Sequence, residues 1–185
     1  LSNFEQYSAV SSMYTRLKEM ALAYRIGNDS LRGQDFLKTA IFDAMEWLND
    51  KWFNPDIEQY GNWYYWQLGI PLAINDVLIL MYDELPDGML QNYMDAIDAF
   101  PPRQGHVLVG ANQIWYCTVL SVRGALGGDT DKIERAVAGI KSVMPYVTSG
   151  DGFYADGSFV QHNMYAYTGG YGSSLIKNLT PVLQM

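Results

Sequence analysis

A chain of 185 residues is long enough to bury a sizeable core as one domain of ordinary size. Apolar residues make up 49% of it and charged residues 17%, which excludes a disordered or tail-like chain and predicts a folded one. The net charge of −8, with only 12 Lys and Arg, argues against a phosphate-tracking basic surface and so against nucleic acid as a partner, whereas a local cleft of donors and a few cations still suits an anionic sugar polymer.

From Val10 to Tyr24 the apolar positions Val10, Met13, Tyr14, Leu17, Met20, Ala21 and Tyr24 recur at three-and-four spacing and predict an amphipathic helix, stopped by Gly27, Asn28 and Asp29. A second helix is predicted from about Asp35 to Trp52, with Phe36, Ala40, Ile41, Ala44, Trp47, Leu48 and Trp52 on its apolar stripe and "NPD" ending it. The pair reads as a helical hairpin. The third element, "NWYYWQLGIPLAINDVLILMYDEL", is apolar nearly all round in its second half, as a helix buried between neighbours is, and Pro71 must either kink it or mark the first turn of its main body. A short helix follows Pro86, and "FPPRQG" reads as a loop. The next helix is predicted over about Gln113 to Leu126, closed by Gly127 and Gly128, and another within "DTDKIERAVAGIKSVMPYV", whose early acidic residues complement the helix dipole.

After Val147 the texture changes. "TSGDGFYADGSFVQHNMYAYTGGYG" is rich in glycine and lacks a helical stripe; the one hint of a strand is "GSFVQH", and helix is suggested again only in "SSLIKNLTPVLQM". The fold class is therefore all-α, successive helical hairpins with a long irregular segment late in the chain, and such segments inside compact domains are usually functional. A hairpin roughly every 40 residues suits a toroid or solenoid of helix pairs.

Cys117, set among apolar residues in "NQIWYCTVL", reads as a buried inert thiol. One Cys and two His cannot build a disulfide framework or a metal cluster. The longest apolar run is broken by Pro71, Asn75 and Asp76, so no membrane insertion is expected. The chain opens at Leu1 without a basic and apolar leader, and compartment is not readable from composition.

Three constellations carry chemistry. His162 is either a loop histidine tied to a backbone carbonyl or a general base, since an imidazole with an ordinary pKa of about 6.5 is the commonest base near neutrality. Tyr165, Tyr167 and Tyr171 follow it closely, each either a packing ring or a proton donor. In "NWYYW" four adjacent aromatics cannot share one helix face, so Trp63 and Tyr64 point away from Trp66 and either form a sugar-stacking platform or join the core. Asp151 and Asp156, in "GDGFYADGS", suit the acid and base of a glycosidase, or simply make Asp-Gly turns. Nucleotide, P-loop, HExxH and GxSxG signatures are absent.

Taken together, "NWYYWQLGIPLAINDVLILM", "GANQ" and "SGDGFYADGSFVQHNMYAYTGGYG" resemble, in order and over most of the chain from about Phe36, the N-terminal α-domain of polysaccharide lyase family 8, which includes hyaluronate, chondroitin AC and xanthan lyases. The resemblance implies helical hairpins forming part of an incomplete α/α toroid, followed by antiparallel β domains, and β-elimination on a uronate-containing polysaccharide. It implies catalytic roles for Asn112 of "GAN", His162 of "GSFVQH" and Tyr171 of "YTGGYG", and substrate binding by Asn62, Trp63 and Tyr64, where the family often has Trp-Trp. A further aromatic expected just before the asparagine is missing, with His106 near its place.

In that chemistry an amide donor neutralises the uronate carboxylate without titrating, His162 or an ionised Tyr171 takes the C5 proton, and Tyr171 protonates the leaving oxygen. Tyr171 as acid and base with His162 assisting is the favoured division. No cofactor and no metal is expected. An arginine, a glutamate and β domains that complete such sites would lie beyond Met185, so the chain is expected to be an N-terminal portion of a larger enzyme, with the remainder of that enzyme and an acidic polysaccharide as its partners. An extracellular location, secreted or cell-surface, follows from the size of such polymers and the resemblance. Two other readings stay open: a non-catalytic carbohydrate-binding helical module relying on Trp63 and Tyr64, and a toroidal glycoside hydrolase using Asp151 and Asp156.

Overall fold

The computed structural model describes residues 3–102 and 108–184, with side chains from Tyr7 onward. His106 and the second half of the "FPPRQG" loop lie outside the described residues. The chain divides into two compact units, Leu1–Pro101 and Pro102–Met185.

The first unit is built of α1 (Asn3–Ile26), α2 (Asp35–Trp52), α3 (Ile70–Leu80) and α4 (Met89–Asp98), with a π-helical turn, Tyr65–Gly69, leading directly into α3. Helix α1 packs against α2 and α3, and α4 against α2 and α3. The buried stripe of α1, Tyr7, Val10, Tyr14, Leu17, Ala21 and Tyr24, follows the predicted one, except that Met13 faces outward. The bounds of α2 agree with the prediction, and Ile41 and Leu48 of its predicted stripe are buried, but Leu37 and Met45 complete the buried row, whereas Phe36 is 62% and Trp47 48% exposed. The i, i+4, i+8, i+11 row of smaller aliphatic residues faces the neighbours, and the two bulky aromatics fall on the opposite side.

Pro71 explains the π-helical turn. It has no N–H to donate to Gln67, and its ring would crowd that carbonyl in a regular helix. The backbone widens just before it, so that the Ile70 N–H reaches back to the Tyr65 carbonyl, and α3 then runs on with Pro71 in its first turn. The widened turn pushes Trp66 to the centre of the unit. Its ring stacks on Tyr7 at 3.9 Å between centroids and meets Phe100 at 4.7 Å, while its indole N–H donates to the Tyr60 carbonyl at 2.7 Å.

The second unit holds α5 (Gly110–Gly127), α6 (Thr130–Val143) and α7 (Ser173–Val182), with β1 (Gly152–Phe153), β2 (Phe159–Gln161) and β3 (Tyr165–Ala166) between α6 and α7. Asp129 caps α6 by accepting from the Lys132 N–H at 3.1 Å. Helix α5 is central, packed against both α6 and α7 over Ala111, Ile114, Cys117, Leu120, Ala136, Ile140, Leu175 and Leu179. It meets α6 closely because Gly139 carries no side chain: a Cβ there would sit 2.3 Å from Gln113 Nε2 and 2.5 Å from Cys117 Sγ. Burial pushes the Cys117 thiol up to about 11, with the hydrogen bond from the Gln113 amide acting the other way, which fits an inert core thiol.

The late segment is less irregular than its sequence suggests. The three short strands form one antiparallel sheet in the order β1-β2-β3, with Phe153 opposite Phe159 and Gln161 opposite Tyr165. A second π-helical turn, Thr168–Gly172, feeds α7. No helix among the described residues is long and apolar enough to cross a membrane.

Candidate active site

The sheet and the turn after it bring His162 and Tyr171 into contact, and the strand that ends at His162 is hydrogen-bonded to the start of α5, where Asn112 lies. In β2 the residues alternate, with Phe159 and Gln161 buried and Val160 half-buried, so Phe159 anchors the strand in the core beneath the surface. The register Gln161 opposite Tyr165 leaves three residues, His162, Asn163 and Met164, to reverse the chain. His162 (φ 58) and Asn163 (φ 65) both adopt the left-handed conformation, the pattern of a tight hairpin turn, at residue types that tolerate it better than most. Asn163 is fixed there by donating its N–H to Asp151 Oδ1 at 2.5 Å.

The returning chain brings tyrosines back to the histidine. Phe159 N–H donates to Thr168 Oγ1 at 3.0 Å, and Tyr167 N–H to the Phe159 carbonyl at 2.8 Å, pinning the second π-helical turn to β2. Gly172 permits this approach, since a Cβ on it would lie 3.1 Å from that of Phe159. His162 and Tyr171 then meet with ring centroids 5.1 Å apart and planes at 87°. Tyr167 completes a triangle, 5.1 Å from Tyr171 and 6.3 Å from His162.

Asn112 arrives from α5, which begins three residues earlier than predicted, so that "GAN" forms its first turn. The helix start is held from a distance: the buried Gln161 side chain accepts from the Ala111 N–H at 3.1 Å and donates to the Val109 carbonyl at 3.4 Å and to Asp151 Oδ2 at 3.0 Å. Gly110 (φ +54) leaves room for this, because a Cβ would come within 2.3 Å of Gln161 Oε1. One turn along α5 from Asn112, Trp115 packs on Tyr171 at 5.9 Å. Asn112 thus lies between Ala111, whose N–H is held by the strand that ends at His162, and Trp115, which packs on Tyr171.

Unlike their neighbours, the three polar tips are unspent. Among the described residues, the Asn112 amide, the His162 imidazole and the Tyr171 hydroxyl make no hydrogen bond, and His162 is exposed. Asn112 and Tyr171 are half-buried, and an imidazole in ring contact with a phenol is a pair of groups suited to proton transfer. Among the described residues, no group of three or more His, Cys, Asp and Glu is placed to hold a metal.

The carboxylates behave differently. Asp156 accepts from the Ser158 N–H at 2.9 Å and its hydroxyl at 2.7 Å, and those two bonds hold its carboxyl below the usual range, opposite to what a general acid needs. Asp151 is engaged by Gln161 and Asn163. In the first unit, Asn62 Oδ1 accepts from the Tyr64 N–H at 3.0 Å and so starts the helix. Trp63 and Tyr64 are half-buried and in mutual edge contact at 6.4 Å, whereas Trp66 is wholly core. The Tyr64 ring lies over Gly69, 3.0 Å from where a Cβ would stand.

Gln161 and Asp151 are the polar residues whose part in the site the sequence reading did not see. The signal for Gln161 was present, as a polar residue sharing the inward alternation of Phe159, where burial demands partners.

All 185 residues match the polysaccharide lyase family 8, N-terminal α-helical domain. The chain is 43% identical over 179 residues to a xanthan lyase of Bacillus sp. (strain GL1), covering 95% of the chain and 19% of that protein. It is 38% identical over 166 residues to a hyaluronate lyase of Thermasporomyces composti, covering 89% of the chain and 21% of that protein. The structure of the Streptomyces coelicolor A3 chondroitin AC lyase in complex with chondroitin sulphate superposes with a TM-score of 0.89 at 34% identity, over 95% of this chain and 24% of that one. The chain therefore spans about a fifth of the length of the curated relatives it matches. The helical hairpins, the motif order and the full-length match agree, and the chain belongs to polysaccharide lyase family 8, as its N-terminal α-helical domain.

Proposed function

We propose that this chain is the N-terminal part of the catalytic α/α-toroid domain of a larger secreted lyase that cleaves a uronate-containing acidic polysaccharide by β-elimination. Further toroid helices and β-sandwich domains would complete that enzyme and its sugar cleft. The observation that supports this best is the edge-on meeting of His162 and Tyr171 beside the first turn of α5, with the polar tips of Asn112, His162 and Tyr171 all unspent among the described residues, in a chain of this family.

The C5 proton of a uronate is hard to remove because the neighbouring carboxylate is already negative. The Asn112 amide would donate to that carboxylate and stabilise the enolate-like charge as it develops, without itself titrating. Tyr171, ionised, takes the C5 proton, with His162 against its ring assisting. The C4–O bond then breaks, and the proton returns from Tyr171 to the departing glycosidic oxygen. The product is an unsaturated uronate at the new non-reducing end and a free hydroxyl on the leaving sugar, so atoms and charge balance with no external reductant. Trp63 and Tyr64 would offer ring faces to the C–H faces of sugars bound away from the reacting bond.

Relatives of this chain are named as xanthan, hyaluronate and chondroitin lyases, and these three polymers are the natural test substrates. Their size places the reaction outside the cell. The complete enzyme is expected to release oligosaccharides with the ultraviolet absorbance of a C4–C5 double bond from at least one of them. Saturated reducing ends from the active substrate would replace this reading with hydrolysis, and binding to all three without turnover would replace it with a carbohydrate-binding module.

A further inference from the structure

Gln161 is a polar side chain only 1% exposed, and its three hydrogen bonds tie together segments far apart in sequence. Its carbonyl oxygen receives the Ala111 N–H, adjacent to Asn112. Its amide nitrogen donates to Val109 O, just before α5, and to Asp151 Oδ2. The other oxygen of Asp151 receives the N–H of Asn163, the residue after His162 in a turn of two left-handed residues. Two side chains, Gln161 buried and Asp151 half-buried, thus set the start of α5 and the shape of the histidine turn against each other.

We propose that Gln161 and Asp151 are a positioning pair, which fixes the separation of Asn112 and His162 for the reaction. The inference rests on the lyase reading above for the reaction it serves, but the linkage is a property of the fold. Left-handed backbone at two consecutive non-glycine residues persists only where the surroundings dictate it. Asp151 supplies that constraint at Asn163, and Gln161 transmits it to the helix carrying Asn112. A network anchored on a buried amide is worth its full strength only when every member is satisfied. Loss of a single complement therefore relaxes both ends.

The test is a reciprocal exchange in the complete enzyme. Gln161→Glu keeps the acceptor for Ala111 but faces the Asp151 carboxylate with a second carboxylate where a donor stood at 3.0 Å. Asp151→Asn sets a donor against either Gln161 or Asn163. The double variant restores complementarity with the polarity reversed: the amide introduced at position 151 donates to the carboxylate introduced at position 161 and still accepts from Asn163. Only the long bond to Val109, at 3.4 Å, goes unreplaced. Each single change is expected to lower kcat by about 10²-fold, the scale of a misplacement of ~1 Å, with KM changed less than about threefold. The double variant should return to within about fivefold of the parent, a coupling that independent sites do not show.

In parallel, selectively 15N-labelled protein should show the Asn112 side-chain amide and His162 ring signals displaced in each single variant and returned in the double. Singles with parental kcat and unmoved signals, or a double no better than the worse single, would overturn the proposal. A parent enzyme releasing no unsaturated uronate would defeat the lyase reading instead, and the two sets of signals would still decide whether the pair fixes Asn112 against His162.

Discussion

The imidazole of His162 stands edge-on to the phenol ring of Tyr171, at 5.1 Å and 87°, and the β2–β3 hairpin with the π-helical turn after it is what returns the tyrosine to the histidine. Tyr171→Phe preserves this ring contact and removes only the hydroxyl. In the complete enzyme it is expected to lower kcat by about 10³-fold, within the range for loss of general acid–base catalysis, and Asn112→Ala by about 10²–10³-fold through loss of charge stabilisation. The rate of unsaturated uronate release measures both. A Tyr171→Phe variant retaining more than about a tenth of the parental kcat would remove the hydroxyl from the acid role.

Trp63 and Tyr64 are half-buried, in contrast to the fully buried Trp66. Trp63→Ala is expected to raise KM by about 5–10-fold with kcat nearly unchanged, the pattern of lost uniform binding. Steady-state kinetics on polymer substrate checks this. A fall in kcat at constant KM would take Trp63 out of sugar binding.

Asp156 is spent on the Ser158 turn, and its carboxyl is held low by that turn. Asp156→Asn should leave lyase turnover within about threefold of the parent and the product unsaturated, as expected for a group outside the proton-transfer path. Loss of turnover in this variant, with saturated products from the parent, would point to hydrolysis by paired carboxylates.

Gly139 lets α6 approach α5 at Cys117 and Gln113. Gly139→Ala inserts a methyl group against both and is expected to destabilise the fold by about 1–3 kcal/mol, seen as a lower Tm. Gly169 is the control, since a Cβ there meets nothing within 4 Å. Equal Tm values for the two variants would show that α5 and α6 yield at this contact.

Tyr14 and Tyr93 share a buried hydroxyl contact at 3.3 Å, and Tyr93 donates to the Met45 carbonyl at 2.7 Å. Burial pushes both phenols above their ordinary value. The folded state therefore holds these protons more tightly than the unfolded state does. Their stabilising effect is complete below the ordinary phenol value of about 10 and is lost as pH rises above it. Urea unfolding should show stability falling from about pH 10 upward, with a shallower decline in Tyr93→Phe, which at neutral pH costs about 1 kcal/mol for the lost hydrogen bond. Identical alkaline slopes in the two proteins would place the effect elsewhere.

What could be read from the chain was whatever depends on near neighbours. The limits of α2 were legible because Asp35 opens it and "NPD" closes it, while its buried face was misjudged in part because Phe36 and Trp47 outweighed the smaller Leu37 and Met45. The start of α5 was hidden because Gly110, Ala111 and Asn112 carry no apolar period, and the group that holds the Ala111 N–H comes from Gln161, fifty positions on. Strands β1 and β3 have two residues each, too few to leave an alternation. The roles proposed for Asn112, His162 and Tyr171 rest on motif resemblance, since nothing in local periodicity links positions 112, 162 and 171.

Trp115, beside Tyr171, is the sole indole between Pro102 and Met185; the remaining four tryptophans all belong to the first unit. The second unit consequently carries its own optical probe. With Trp47, Trp52, Trp63 and Trp66 replaced by phenylalanine, the indole emission left within residues 1–185 would come from a single fluorophore one helical turn from Asn112, and in this 185-residue chain sugar arriving at that corner could be followed without attaching any dye.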